Sequence, residues 1–155
     1  MLLDTHAHYD DEAFDADRDT LLESLKEYGI RKVINAGASV ESSYTGLKLA
    51  ERYPWVYAAL GAHPNYVEEL NETVLKDFAA LAKHPKVVAI GEIGLEYHYE
   101  EPLRDVQKIW FQRQLDLAAE TGLPVIIHSR EAAQDTFDEM KRAAARGIGG
   151  VIHCF

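Results

Sequence analysis

The chain has 155 residues, and its 16 Lys and Arg against 26 Asp and Glu give a formal net charge of −10 at pH 7. Hydrophobic residues make up 47% and aromatic residues 10% of the chain, enough to build a core, so an intrinsically disordered chain is excluded. The longest apolar run is far shorter than the roughly 20 residues of a transmembrane helix, so we expect no membrane partner. The acid excess argues against a basic surface that grips nucleic acid by its phosphates.

Strand and helix patterns alternate along the whole chain. Short apolar runs flanked by Gly or Pro predict strands, and amphipathic segments with capping residues at their ends predict helices. In chain order the predicted elements are strand 2–6, helix 17–28, strand 32–36, helix 40–53, strand 56–61, helix 71–84, strand 87–92, helix 102–120, strand 124–128, helix 131–145 and strand 150–155.

This alternation predicts an α/β fold with a parallel sheet, in a single domain over residues 1–155. Two architectures are compatible with it, a doubly wound open sheet and a TIM-type (β/α) barrel. No G-x-G-x-x-G turn follows the first strand, which weakens the dinucleotide-binding form of the open sheet. A full barrel has eight strands and eight helices, whereas six strands and five helices are predicted here. On the barrel interpretation we expect the domain to be C-terminally incomplete.

Metal-capable side chains lie at the carboxyl ends of four predicted strands. His6 ends the first strand and His8 follows two residues later, while Glu92 belongs to the fourth strand, His128 to the fifth and His153 to the sixth. The carboxyl ends of parallel strands share one face, so we expect these five side chains to converge. Each of them alone fits a structural role. Burying several titratable groups together is costly unless a cation neutralises them, so the set predicts a metal site.

The ligand types suit zinc and manganese, with magnesium tolerated, and the sequence does not choose among these three metals. One carboxylate among four histidines predicts two divalent ions, with His6 and His8 on one ion, His128 and His153 on the other, and Glu92 bridging them. Two ions about 3.5–4 Å apart can hold a hydroxide and stabilise both the attacking and the leaving oxygen of a phosphodiester. Glu92 is therefore the predicted catalytic residue.

Other polar residues are weaker candidates. His63 follows the third predicted strand and Arg130 lies two residues after His128, so either residue could contact substrate. A purely structural role is equally compatible with each residue: His63 as a loop histidine, and Arg130 in a salt bridge at the start of a helix. Residues 96–99 are predicted to form a loop at the lip of the site. Cys154, the only cysteine, fits a reducing cytoplasmic compartment and is expected to be a small buried side chain.

Five segments together resemble the TatD family of metal-dependent deoxyribonucleases. They are Asp4-Thr5-His6-Ala7-His8, Gly61-Ala62-His63-Pro64, Gly91-Glu92-Ile93-Gly94-Leu95, residues 124–130 and Ile152-His153-Cys154-Phe155.

This resemblance implies a TIM-type barrel and the two-ion ligand set given above. It also implies hydrolysis of DNA, often by exonucleases that act on single strands from the 3′ end, in cytoplasmic proteins tied to DNA repair or DNA breakdown. The family pattern continues to a metal-binding Asp on an eighth strand, which lies beyond this sequence.

Two alternatives stay open. An amidohydrolase-type enzyme that cleaves amides or esters would use a similar ligand arrangement, although a carboxylated lysine would usually stand where Glu92 does. An inactive metal-binding fragment would leave its first and sixth strands as unpaired edges, which favours self-association.

Overall fold

The computed structural model describes residues 2–154, and over this range strands and helices alternate. The strands are β1 (Leu2–Ala7), β2 (Ile30–Ala36), β3 (Val56–Leu60), β4 (Val87–Glu96), β5 (Val125–Arg130) and β6 (Gly150–His153). The α-helices are α1 (Arg18–Ser24), α2 (Val40–Arg52), α3 (Glu72–Leu81), α4 (Arg104–Thr121) and α5 (Ala133–Ala145). Short 3₁₀ helices span Glu12–Phe14 and Pro64–Glu69. Within this range no helix is long and apolar enough to cross a membrane.

The strands form one parallel sheet in the order β1-β2-β3-β4-β5-β6. Each strand pairs with its neighbour in sequence, so the chain always turns the same way, as it does in a barrel. A doubly wound sheet reverses its strand order partway, and no reversal occurs among the described strands. The TIM-type barrel prediction is therefore confirmed. β1 and β6 are the edges of the sheet. The rings of His6 and His153 are stacked with their centroids 4.0 Å apart, so the carboxyl ends of these two strands lie close together.

The two faces of the sheet are packed differently. The helix-covered face holds the main core, in which Leu22, Phe78 and Phe111 are fully buried. The barrel interior holds a small separate cluster made of Ala36, Ala59, Ala89 and Ile126. Three of these four interior side chains are alanines, so the interior is lined mainly by small side chains at this level of the strands.

Several boundaries differ from the sequence-based expectation. β4 was predicted to end at residue 92 but continues to Glu96, because it stays paired with β5 through Glu96 and Arg130. The first helix ends at Ser24 instead of residue 28, and Tyr28 is exposed in the hydrogen-bonded turn that follows. β6 ends at His153, and Phe155 of the predicted last strand lies outside the described residues.

Candidate metal centre

The structure brings together the side chains of His6, His8, Glu92, His128 and His153. His6 lies near the end of β1 and His8 directly follows it, whereas Glu92 and His128 lie within β4 and β5, and His153 ends β6. Glu92 lies at the centre of this group and is 2% exposed. The preceding residue, Gly91, allows β4 to approach β5 closely enough to place Glu92 there. A Cβ at Gly91 would lie 2.7 Å from the Ile126 Cβ and 2.9 Å from the Ile126 carbonyl oxygen. The absence of a side chain therefore lets β4 lie against β5 immediately before Glu92.

The first half of the centre is a triangle of ligand atoms. The Nε2 atoms of His6 and His8 are 3.0 Å apart and lie 3.2 and 3.3 Å from Glu92 Oε2. His8 Nδ1 lies 2.9 Å from the Ala36 carbonyl oxygen, which can only accept, so Nδ1 carries the proton. His8 Nε2 therefore carries the lone pair in the neutral ring, where a cation could bind it, and only the protonated ring donates from Nε2 to Glu92. A protein carbonyl that fixes the tautomer in this way is typical of metal-binding histidines.

The second half of the centre lies on the other oxygen of the same carboxylate. His128 Nδ1 is 2.9 Å from Glu92 Oε1, and His153 Nε2 is 4.0 Å from that oxygen. The other ring nitrogen of His128 lies 3.2 Å from Glu96 Oε2. One oxygen of Glu92 thus faces His6 and His8, and the other faces the histidines of β5 and β6.

The protonation equilibria of these groups are coupled. Burial acts to raise the pKa of Glu92, but hydrogen bonds from His128, His6 and His8 outweigh it and hold that pKa far below its ordinary value. Burial acts to lower the pKa of His128, and the hydrogen bonds and charges of Glu92 and Glu96 raise it overall. The hydrogen bond to Glu92 raises the pKa of His8 against its burial. Glu92 is therefore an anion, and its charge favours the protonated forms of His8 on one side and His128 on the other.

The donor set fits a divalent cation. His6 Nδ1 is buried and has no hydrogen-bond partner among residues 2–154, so protein groups do not satisfy this imidazole fully. His6, His8 and Glu92 form one group with ligand atoms within 4.8 Å of one another, and His63, Glu92 and His128 form another. Imidazole and carboxylate ligands are those that zinc and manganese accept.

His63 and Arg130 lie at the rim of the centre. The ring of His63 meets that of His128 edge-on, with centroids 4.2 Å apart. Burial and the neighbouring charge of His128 lower the pKa of His63 to about 4, so its ring is neutral at pH 7. Its Nδ1 accepts the Asn65 backbone N–H at 3.2 Å, which leaves the Nε2 proton available as a donor. The Arg130 guanidinium lies 3.8 Å from Glu96 Oε2.

Glu96 is the residue whose place the sequence-based interpretation missed. Expected in a loop at the lip of the site, it is the last residue of β4 and is 2% exposed. Gln107 brackets it, accepting the Glu96 backbone N–H at 2.9 Å and donating to the Glu96 carbonyl at 2.9 Å. Its carboxylate accepts the His98 N–H at 2.8 Å and faces His128. The apolar residues Ile93 and Leu95, which continue the alternation of β4, were the available signal.

Cys154 also differs from expectation, since it is exposed and not buried. It follows edge strand β6 and has a φ of 56°. Its sulfur lies within 4.8 Å of ligand atoms of His128 and His153.

A parallel β/α barrel with histidines and carboxylates gathered at the carboxyl ends of its strands defines a class of barrel proteins with a polar centre at one mouth. The chain belongs to the TatD family, because the family model described as TatD related DNase matches residues 3–155.

Curated relatives carry related names. The chain is 38% identical over 155 residues to the uncharacterized metal-dependent hydrolase YabD of Bacillus subtilis (strain 168), covering 100% of this chain and 61% of the relative. It is 34% identical over 143 residues to the 3'-5' ssDNA/RNA exonuclease TatD of Rahnella sp. (strain Y9602), covering 92% of this chain and 54% of the relative. The chain therefore spans about three fifths of these relatives or less. The relatives' names and the His/Glu groups support the use of divalent metal.

Solved structures show the same architecture. The crystal structure of YjjV, a TatD homologue from Escherichia coli K12, superposes with a TM-score of 0.90 at 35% identity, covering 99% of this chain and 60% of that one. A TatD family hydrolase from Entamoeba histolytica gives a TM-score of 0.88 at 24% identity, covering 99% of this chain and 58% of that one, and it supports the fold alone.

Proposed function

We propose that residues 1–155 form a single TatD-like domain with a two-ion metal centre that hydrolyses phosphodiester bonds. His6 and His8 would hold one divalent ion, His128 and His153 the other, and Glu92 would bridge them. The observation that carries this proposal is the division of the Glu92 oxygens between the two histidine groups, at 3.2 and 3.3 Å on one side and 2.9 and 4.0 Å on the other.

The proposed chemistry assigns a task to each residue. Bound divalent ions supply Lewis acidity and a water nucleophile of lowered pKa. Glu92 supplies the negative charge that holds cations in a buried place, and Glu96 holds the ring of His128. The neutral His63 can donate its Nε2 proton to a phosphate oxygen, and Arg130 offers a guanidinium at the mouth of the centre.

For the substrate we propose DNA, cleaved as a single strand from the 3′ end. Relatives named 3'-5' ssDNA/RNA exonuclease support this choice. A phosphate held by metal ions does not need a basic protein surface, which agrees with the net charge of −10. A cytoplasmic place and a part in DNA repair belong to the same proposal.

The test is divalent-dependent cleavage of end-labelled single-stranded DNA by this chain beside its Glu92→Ala variant, with metal content measured on both proteins. We expect cleavage by the wild type with two ions per chain, and loss of both properties in the variant, because no other carboxylate among residues 2–154 contacts all the histidines of the centre. Glu27→Ala is the matched control, since Glu27 is an exposed glutamate in the turn between α1 and β2, at the amino end of β2.

Three results would contradict the proposal. Unchanged cleavage by Glu92→Ala would remove Glu92 from the centre. A wild type that holds metal but does not cleave DNA would be the inactive metal-binding fragment. A wild type that hydrolyses amides or esters and leaves DNA intact would support the amidohydrolase alternative.

A further inference from the structure

β4 leads directly out of the candidate metal centre into an aromatic segment. Glu96 ends the strand, and Tyr97, His98 and Tyr99 follow it without a break. A cavity of about 440 Å³ opens beside this segment. Its lining includes the three aromatic residues and, from the start of α4, Leu103 and Arg104. The residues that line the cavity therefore begin directly after Glu96 in the sequence.

Tyr99 presents an aromatic ring that the fold does not cover. Its side chain is 52% exposed, and the neighbouring Leu103 is 59% exposed. Tyr97 differs from Tyr99, since its hydroxyl donates to Asp135 Oδ2 at 2.6 Å and anchors the segment to α5. His98 stands edge-on to Tyr99 at 4.9 Å between ring centroids and is paired with Glu131 at 2.8 Å. The Tyr99 ring is thus held by anchored neighbours while remaining open to solvent.

Arg130 connects this ring to the metal centre. Its guanidinium carbon lies 5.7 Å from the centroid of the Tyr99 ring, and its Nη1 lies 3.8 Å from Glu96 Oε2. Arg104 lines the cavity, and its guanidinium lies 4.3 Å from the ring centroid of Tyr97. Positive charge therefore flanks the aromatic segment on two sides, although Glu100 and Asp105 also line the cavity.

We propose that Tyr99, with Leu103 and Arg130, forms a stacking subsite for one unpaired nucleobase beside the metal centre. This inference rests on the proposed function and specifies its substrate as single-stranded nucleic acid. An exposed tyrosine ring offers a face to any base, and an adjacent guanidinium adds a cation–π contribution and can meet a phosphate. A base inside a duplex keeps both faces stacked on its neighbours, so the subsite favours unpaired bases without reading sequence.

The test uses steady-state cleavage of a short single-stranded DNA by wild type and Tyr99→Ala, together with anisotropy of the labelled strand. We expect Tyr99→Ala to raise KM about tenfold, within the range known for base–aromatic stacking, and to leave kcat and metal content unchanged. Tyr99→Phe keeps the ring and should match the wild type. Tyr28→Ala is the control, because Tyr28 is 74% exposed and follows α1, outside the cavity.

An abasic substrate series separates stacking from a general loss of affinity. In the wild type, an abasic nucleotide at one position of the strand should raise KM to the level of Tyr99→Ala. In Tyr99→Ala, that same abasic nucleotide should have no further effect.

Two outcomes would overturn the inference in distinguishable ways. If Tyr99→Ala binds and cleaves like the wild type while Glu92→Ala is inactive, the subsite is absent and the proposed function stands. If the wild type neither binds nor cleaves single-stranded DNA with any divalent ion, the proposed function fails and the subsite fails with it.

Discussion

At the scale of single residues, Glu96 orients one histidine of the candidate centre. It is buried, lies 3.2 Å from His128 Nε2, and is itself held by Gln107 and by the His98 N–H. A carboxylate that accepts a hydrogen bond from one imidazole nitrogen sets the orientation of the ring, so that the other nitrogen can bind a ligand. The other nitrogen of His128 faces Glu92.

We therefore expect Glu96→Gln to weaken metal binding by about 10- to 100-fold, as losses of such outer carboxylates do. Glutamine keeps an acceptor for the His98 N–H but removes the charge that faces His128. Calorimetric titration of the metal-free protein measures the effect, and Glu100→Gln is the control on the same segment. Glu96→Asp should recover most of the affinity, since the carboxylate is restored. Equal affinity of Glu96→Gln and wild type would contradict this role.

The sequence predicts the convergence of His6, His8, Glu92, His128 and His153, because topology alone brings the carboxyl ends of parallel strands together. It does not predict the position of Glu96. The ladder between β4 and β5 shifts register between Ile90 and Ile93, and Gly94 adopts a φ of 145°. A Cβ at Gly94 would lie 2.0 Å from the His128 carbonyl oxygen. Such a shift depends on contacts between strands, which a pattern of apolar residues along one strand does not contain.

At the scale of elements, Asp135 ties three segments together. The first turn of α5 carries Asp135, whose Oδ2 accepts from the Tyr97 hydroxyl at 2.6 Å and lies 2.7 Å from Lys108 Nζ on α4. Hydrogen bonds from Lys108 and Tyr97 lower the pKa of Asp135. The end of β4, α4 and α5 are therefore joined through one carboxylate.

This lowered pKa predicts a pH dependence of stability. A carboxyl group with a lower pKa in the folded state stabilises that state above its unfolded pKa, and the contribution is lost as pH falls through the folded pKa. We expect Asp135→Asn to lower the free energy of unfolding at about pH 7, and the difference from wild type to shrink as pH falls below about 4. Urea titrations across this range measure it, with Asp138→Asn on the same helix as control. A difference that does not change with pH would contradict the assignment.

The positions of the elements were more predictable than their ends. Alternating strand and helix patterns indicate all six strands and five helices of residues 2–154. The end of α1 was not predicted, because the apolar pattern that places Leu25 in the core fits a helix or a turn after Ser24 equally well. The choice is made by turn hydrogen bonds that close at Gly29, where φ is 81°.

At the scale of the whole molecule, the two edge strands expose apolar side chains. Leu2 and Leu3 on β1 are 60% and 52% exposed, and Val151 and Ile152 on β6 are 39% and 40% exposed. Edge strands of this kind present unpaired backbone groups to other chains.

We expect the 155-residue chain to associate with itself in a concentration-dependent way, and Leu3→Lys combined with Ile152→Lys to shift it toward the 17.4 kDa monomer. A charge on an edge strand opposes pairing with a second copy. Light scattering after size exclusion measures the mass. Tyr28→Lys, at an exposed position outside β1 and β6, is the control and should leave association unchanged. A wild type that stays monomeric at all concentrations would contradict this expectation.

In the proposed two-ion centre, the shared carboxylate of Glu92 would make the two histidine groups a linked thermodynamic system. If an ion on one side changes the affinity of the other side by some factor, the reverse effect must equal that factor. The two proposed positions would then not have independent dissociation constants, and a substitution of His153 would also alter the metal affinity at His6 and His8. On this proposal, the metal affinity of the barrel mouth would be a joint property of the strands that carry these side chains.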